Sequence, residues 1–289
     1  MKKQFFPFLT GLALLCFCGA NAQEFREHIE KEFTLSSASA GRLAVYNVNG
    51  PIKVEGYAGD KVVIGIDKRI SADDSDRLAE GKAEFKLGFE QHGDSILVYI
   101  AEPFDSRPHK WRRYEGDYEG ERNIEYEYQL SFTIRVPYAM NMHVSTVNNG
   151  DIQVQDVAGA LDVDNVNGPI IIKNARGATR AHTINGDLTV SYREMPPMGS
   201  DYYTLNGTLS ATYPANLNAI CQFKSMNGSF YTDFPDVEIL PAGVTKNEEP
   251  GRAGVRYKLN ISKQVKIGSG GKLFKFETLN GDIYIKKQS

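Results

Sequence analysis

The stretch Lys110-Trp111-Arg112-Arg113-Tyr114, with Tyr118, Tyr126 and Tyr128 downstream, combines residues suited to recognition chemistry. Flat aromatic faces stack on sugars or on partner rings, and guanidinium groups fork onto carboxylates. Trp111, Arg112, Arg113 and Tyr114 are therefore the candidate binding residues. The plainer alternative is an insertion loop whose aromatics pack on the flank of the fold. Elsewhere the chemistry is thin. Gly268-Ser269-Gly270-Gly271-Lys272 lacks the leading Gly of a phosphate-binding loop, and Leu273 stands where a magnesium-holding Ser or Thr belongs, so it reads as a strand turn. Asp162-Val163-Asp164-Asn165-Val166-Asn167-Gly168 is acidic, but Val166 breaks the calcium-loop alternation and no Glu follows at the required distance. Asp162 and Asp164 are expected to face solvent from a strand.

His28, His92, His109, His143 and His182 are scattered, without a His-Glu-x-x-His helix or cysteine pairs, so no zinc site is read. No Ser lies in a Gly-x-Ser-x-Gly elbow. Acids on one outer face could hydrolyse a polysaccharide, but no spacing singles out a pair. The expectation is no catalytic residue, no metal and no cofactor.

What must position any such surface is a repeat. An Asn-Gly step recurs seven times, at Asn49-Gly50, Asn149-Gly150, Asn167-Gly168, Asn185-Gly186, Asn206-Gly207, Asn227-Gly228 and Asn280-Gly281. Counting from each Asn, apolar residues fall four before, one before, three after and, less strictly, five after. For Asn167 these are Val163, Val166, Ile170 and Ile172. The copy at Asn149 has an extra Asn148. After the turn the pattern has period two, as a strand with one buried face requires. Before the turn the apolar pair is three apart, which predicts a slip that lets both sides of the bend point inward. Between the pair stands Asn47, Thr146, Asn165, Thr183, Thr204, Ser225 or Thr278, each able to bond neighbouring backbone and hold the bend. Asn and Gly readily supply positive φ.

From Asn149 the next steps lie 18, 18, 21 and 21 residues on, then 53 to Asn280. Weaker glycines, Gly159 and Gly177, mark midpoints. Each unit reads as two strands of about seven residues, although three shorter sides also fit. The fold class is all-β, a β-solenoid of 18–21-residue coils with one short helix in an N-terminal insertion. An antiparallel β-meander or sandwich is the alternative, since Asn-Gly is also the strongest hairpin signal. The stack is favoured because it requires the same flanking columns at every copy and allows Asn to ladder along the axis.

Residues 1–22 read as a signal peptide: Lys2 and Lys3, an apolar Phe5–Cys18 stretch too short to span a bilayer, and Ala20-Asn21-Ala22 as a cleavage signal. Cys18 follows Phe17, which disfavours lipidation. The mature chain would be exported to the periplasm, cell surface or medium, without a transmembrane segment. Cys221 would be its one cysteine, which excludes an intrachain disulfide. Its charge would be two units more negative than the −3 of the full sequence, a poor match for nucleic acid.

Residues 23–289 read as one domain with insertions at about 61–140 and 233–256. Strands are expected at Lys61 to Ile70, Ser95 to Ile100 and Gln129 to Val136. A helix is expected over Ser71 to Phe85, capped by Ser71, and a loop over Phe234 to Gly254. The two lysines closing the last strand suit a solenoid end protected from edge-to-edge growth.

The serial [Val/Ile/Leu]-Asn-Gly-x-[Ile/Leu]-x-[Val/Ile] steps, Val136-Pro137 before the main repeats, and Ile267-Gly268-Ser269-Gly270-Gly271 ahead of Thr278-Leu279-Asn280-Gly281-Asp282-Ile283 resemble the bacterial putative adhesin family and the related head-GIN-type domains. The resemblance covers roughly residues 40 to 286. It implies a β-solenoid-like exported or surface protein and carries over no catalytic residue. The charged segment 103 to 128 is longer than the family pattern. The functional expectation is a non-enzymatic adhesion or binding scaffold. Its partner is unknown, with a cell-surface glycan or an envelope protein as the classes considered. The alternatives are a periplasmic structural or envelope-stress accessory protein and a polysaccharide-active β-helix enzyme.

Overall fold

The computed structural model describes residues 23–37, 41–108, 124–251 and 254–288. The fold is all-β with one short helix. Its N-terminal part comprises β1 (Gln23–Thr34), β2 (Arg42–Tyr46), β3 (Ile52–Tyr57), β4 (Lys61–Ala72), helix α1 (Ser75–Glu84), β5 (Lys86–His92), β6 (Ser95–Glu102) and β7 (Glu127–Pro137). The repeats follow as β8 (Asn141–Thr146), β9 (Ile152–Gln155), β10 (Leu161–Asn165), β11 (Ile170–Ala175), β12 (Thr179–Asn185), β13 (Leu188–Tyr192), β14 (Asp201–Asn206), β15 (Leu209–Tyr213), β16 (Ala219–Asn227) and β17 (Phe230–Thr232). The chain closes with β18 (Val237–Gly251), β19 (Gly254–Ile267), β20 (Lys272–Asn280) and β21 (Ile283–Lys287).

These form two open, mixed sheets. One has the order β1-β4-β7-β3-β9-β11-β13-β15-β21-β17, the other β18-β19-β16-β20-β14-β12-β10-β8-β2-β6-β5. Each Asn-Gly unit contributes one strand to each sheet, and neighbouring units pair in parallel, with one register shift, between β11 and β13 after Ile172. In one sheet Val45, Val144, Val163, Ala181, Tyr202, Phe276 and Phe223 align; in the other Ile52, Ile152, Ile170, Leu188, Leu209, Ile283 and Phe230 do. Most of these side chains are buried in a single core between the sheets. Parallel neighbours displaced by a whole unit are not what a hairpin meander gives. Two stacked layers fit the sandwich half of that alternative.

The corner itself differs from expectation. The alternation does not slip. Val163 points in, Asp164 out, Asn165 in and Val166 out. The buried member is the short polar residue, and the apolar residue beside the Asn forms an outer stripe, with Ile184 36% and Met226 72% exposed. The cause is a backbone acceptor facing the interior. Thr146 and Asn165 donate to the carbonyl oxygens of Gly50 and Gly150 at 3.0 Å, Thr183 to Gly168 at 2.9 Å, and Thr204 to Gly186 at 2.8 Å. Thr278 and Ser225 continue the series onto Gly207 and Gly281 at 3.2 Å. A buried carbonyl without a partner is costly, so burying a hydroxyl there stabilises more than burying another methyl.

Nor are the Asn-Gly steps type I′ turns, which need positive φ at both residues. Asn149 has φ 57° and Gly281 φ 154°, but no step has both residues positive. Gly is required by close approach instead: a Cβ on Gly186, Gly207 or Gly281 would be driven into the preceding unit's Gly carbonyl oxygen. Gly159 and Gly177 make the same approach at the opposite corner.

Three further expectations are corrected. β4 runs on to Ala72, and α1 starts at Ser75 with Asp74, not Ser71, as its cap, accepting from the Arg77 amide at 2.9 Å. The expected loop over Phe234 to Gly254 contains β18, whose antiparallel ladder with β19 satisfies its backbone. The last strand is not terminal in the stack: β20 and β21 lie between β14/β15 and β16/β17, so the closing lysines flank an interior rung.

Candidate functional site

Strict alternation sends every second residue of β2, β8, β10, β12 and β14 to the outer face of the eleven-stranded sheet. Because the register never shifts there, these residues align in two rows. One row is His143, Asp162, Arg180, Asp201 and Lys275; the other is Tyr46, Ser145, Asp164, His182 and Tyr203. Rungs about 4.8 Å apart place the side chains within mutual reach.

The rows are cross-linked. His143 Nδ1 lies 3.0 Å from Asp162 Oδ2. Arg180 Nη1 donates to Asp162 and, at 2.9 Å, to Asp164. Its Nη2 lies 3.0 Å from His182 Nδ1, and His182 Nε2 lies 3.2 Å from Asp201 Oδ1. The Tyr46 ring packs on His143 with centroids 5.0 Å apart, and Tyr203 meets His182 edge-on at 5.7 Å. The hydrogen bond from His143, then that from Arg180, hold the Asp162 carboxyl at about 2 despite partial burial. His182 holds Asp201 below its ordinary value in the same way. Both acids are kept ionised, which suits fixed recognition charges and not a general acid, whose pKa must be raised.

His143, Asp162 and Asp164 each offer a ligand atom within 4.8 Å of the others. The Arg180 guanidinium already binds both carboxylates, so a cation would have to displace a fixed positive charge. Asp162 and Asp164 do face outward, as their strand positions require.

Trp111, Arg112, Arg113 and Tyr114 lie outside the described residues, as do residues 1–22. The insertion that carries the four is nonetheless rooted at the array. Ser106 donates to the Tyr46 carbonyl at 2.8 Å, and Ser106 and Pro108 line one open groove with Arg42, Tyr46, His143 and Asp162.

The Asn-Gly residues occupy one edge of the stack. Asn167, Asn185, Asn206, Asn280 and Asn227 each donate from Nδ2 to the Oδ1 of a neighbour, in the spatial order Asn148, Asn167, Asn185, Asn206, Asn280, Asn227, at 2.7–2.9 Å. The first member is Asn148. Asn149 takes the left-handed conformation and drops out of line, so the extra residue of that copy displaces the rung by one position. Asn49 pairs with Asn148 through backbone only, as an isolated bridge. The array of His143, Arg180 and His182 was not singled out from sequence. Its signal was a constant offset: the two rows stand five and three residues before the ladder Asn of each unit.

Cys221 is fully buried, and burial pushes its thiol up to about 12, so it is held as the thiol and not the reactive thiolate at neutral pH. Among the described residues no helix is long and apolar enough to cross a membrane.

No family model matches the sequence, and no curated protein matches it. The fold is similar to two solved structures. A putative cell adhesion protein from Clostridium sporogenes has a TM-score of 0.46 and 9% identity, covering 91% of this chain and 100% of that chain. A putative adhesin from Bacteroides fragilis has a TM-score of 0.33 and 10% identity, covering 91% of this chain and 97% of that chain.

Proposed function

We propose that the chain is an exported, non-enzymatic binding scaffold of the cell envelope or surface. It is built as a two-sided β-solenoid capped by β1, β4–β7 and α1, and residues 1–22 are its cleaved leader. Residues 23–289 act as one domain. The reading is supported by unit-by-unit parallel pairing in both sheets, with each coil's corner closed onto the last. The observation that carries the functional part is the ion-paired array His143–Asp162–Arg180–His182–Asp201, flanked by Tyr46 and Tyr203. Rigid rungs hold these groups at fixed spacing, and such faces sum many weak contacts. Trp111, Arg112, Arg113 and Tyr114, which follow the described segment that Ser106 ties to Tyr46, are the further binding candidates, on their residue types alone. A cell-surface glycan is the ligand class that best uses flat aromatics beside fixed charges.

The test is binding of the mature chain to a glycan panel and to whole cells. Arg180→Ala with Tyr203→Ala, and separately Trp111→Ala with Arg113→Ala, should each lower binding at least about tenfold, the scale of one lost charge-assisted contact, with the fold intact by circular dichroism. Unchanged binding in both variants would end the proposal. Turnover of a polysaccharide, abolished by one Asp or Glu change, would replace it with an enzyme.

A further inference from the structure

The two sheets end unevenly. At the C-terminal end of the stack, β17 is the last strand of one sheet and, among the described residues, pairs with β21 alone. In the facing sheet β16 is followed by β19 and then β18, so two strands project beyond the point where their covering layer stops. Val237 and Ile239 of β18 are directly opposite Ile267 and Val265 of β19, so all four lie on the same face, the one directed to the core. Val265 and Ile267 are buried, whereas Val237 is 37% and Ile239 84% exposed. Together with Phe223 and Phe230, whose rings stack at 4.1 Å, Val237, Ile239 and Val265 line an apolar groove of about 890 Å³.

The array of the proposed function lies on the outer face of earlier rungs, so this groove is a separate surface. We propose that it is a self-association site, occupied by the β18–β19 overhang of a second copy of this chain. The strand count dictates the partner. A two-fold axis parallel to the strands, midway between the layers, carries one sheet onto the level of the other and reverses the stack. The partner's β18 then lies beside β17 and continues that sheet, while its overhang covers the inner face of this copy's β18 and β19. Two strands are missing from one layer and two project from the other, so the surface is complementary to itself, as an isologous dimer requires.

Sheet direction agrees. β17 runs opposite to β16, and β18 runs with β16, because β19 is antiparallel to both. The new pair is therefore antiparallel and satisfies the free edge of β17. Direct pairing of two β17 edges is blocked, since both overhangs would claim the same space. A foreign extended strand could pair with β17, but a single strand would cover only half of the exposed inner face.

The experiment is the solution mass of the mature chain by light scattering, with hydrogen exchange at β17. Wild type should have twice the monomer mass, with protected amides in Phe230–Thr232. Ile239→Glu, at a position already in water in the single copy, should halve the mass and expose those amides, while the far-ultraviolet spectrum is unchanged. Glycan binding by Ile239→Glu reports independently on the outer-face array. A monomeric wild type, a dimer indifferent to Ile239→Glu, or a monomer whose groove takes up a foreign peptide would each overturn the proposal.

Discussion

Thr204 shows how one side chain holds a corner. Its side chain is fully buried, and its hydroxyl donates to the Gly186 carbonyl at 2.8 Å. Thr204→Val keeps the shape and leaves that carbonyl unpaired, so we expect a loss of about 1–3 kcal/mol in urea unfolding. Asn206→Ala removes two ladder bonds in the open, where water can replace them, and should cost about 1 kcal/mol or less. An equal or reversed order would contradict the view that the buried column, not the exposed Asn ladder, fixes the bend. Asp162 gives a pH signature of the outer face. Its folded value of about 2 lies below the ordinary carboxylate value of about 4. The depressed value contributes stability that is fully present above about 4 and is lost as pH falls toward 2. Asp162→Asn should flatten that part of the acid-unfolding curve. The change should be small, because the pair is partly solvated.

At the scale of elements, the placement of β20 and β21 makes the strongest prediction. They are last in sequence and interior in space, held between β14/β15 and β16/β17. Removing residues 272–289 should therefore abolish the cooperative thermal transition. A stack in sequence order would lose only an end coil and keep its transition, slightly lowered. The strands and units were legible because the Asn-Gly step, with alternating apolar residues after it, occurs seven times in the sequence. The direction of side chains at the corner was not. Valine and threonine have similar shapes, and only the buried Gly carbonyl decides which turns inward. The order of the last coils was hidden too, since nothing in Phe276–Ile285 distinguishes an interior copy from a terminal one. The outer array was half visible: Asp162 and Asp164 stood out as a pair, but the register that brings Arg180 and His143 onto them is a property of the stack.

The whole molecule is a stack of rungs one strand spacing apart, with the last Asn-Gly unit of the sequence held inside it. Spin labels on the exposed Asn edge measure this directly by double electron–electron resonance. Position 280 should lie four rungs from position 148, about 19 Å, and position 227 five rungs away, about 24 Å. A label at 280 nearer to 148 than a label at 227, by about one strand spacing, is the predicted result. The reverse order, or distances that do not increase by whole rungs, would contradict it.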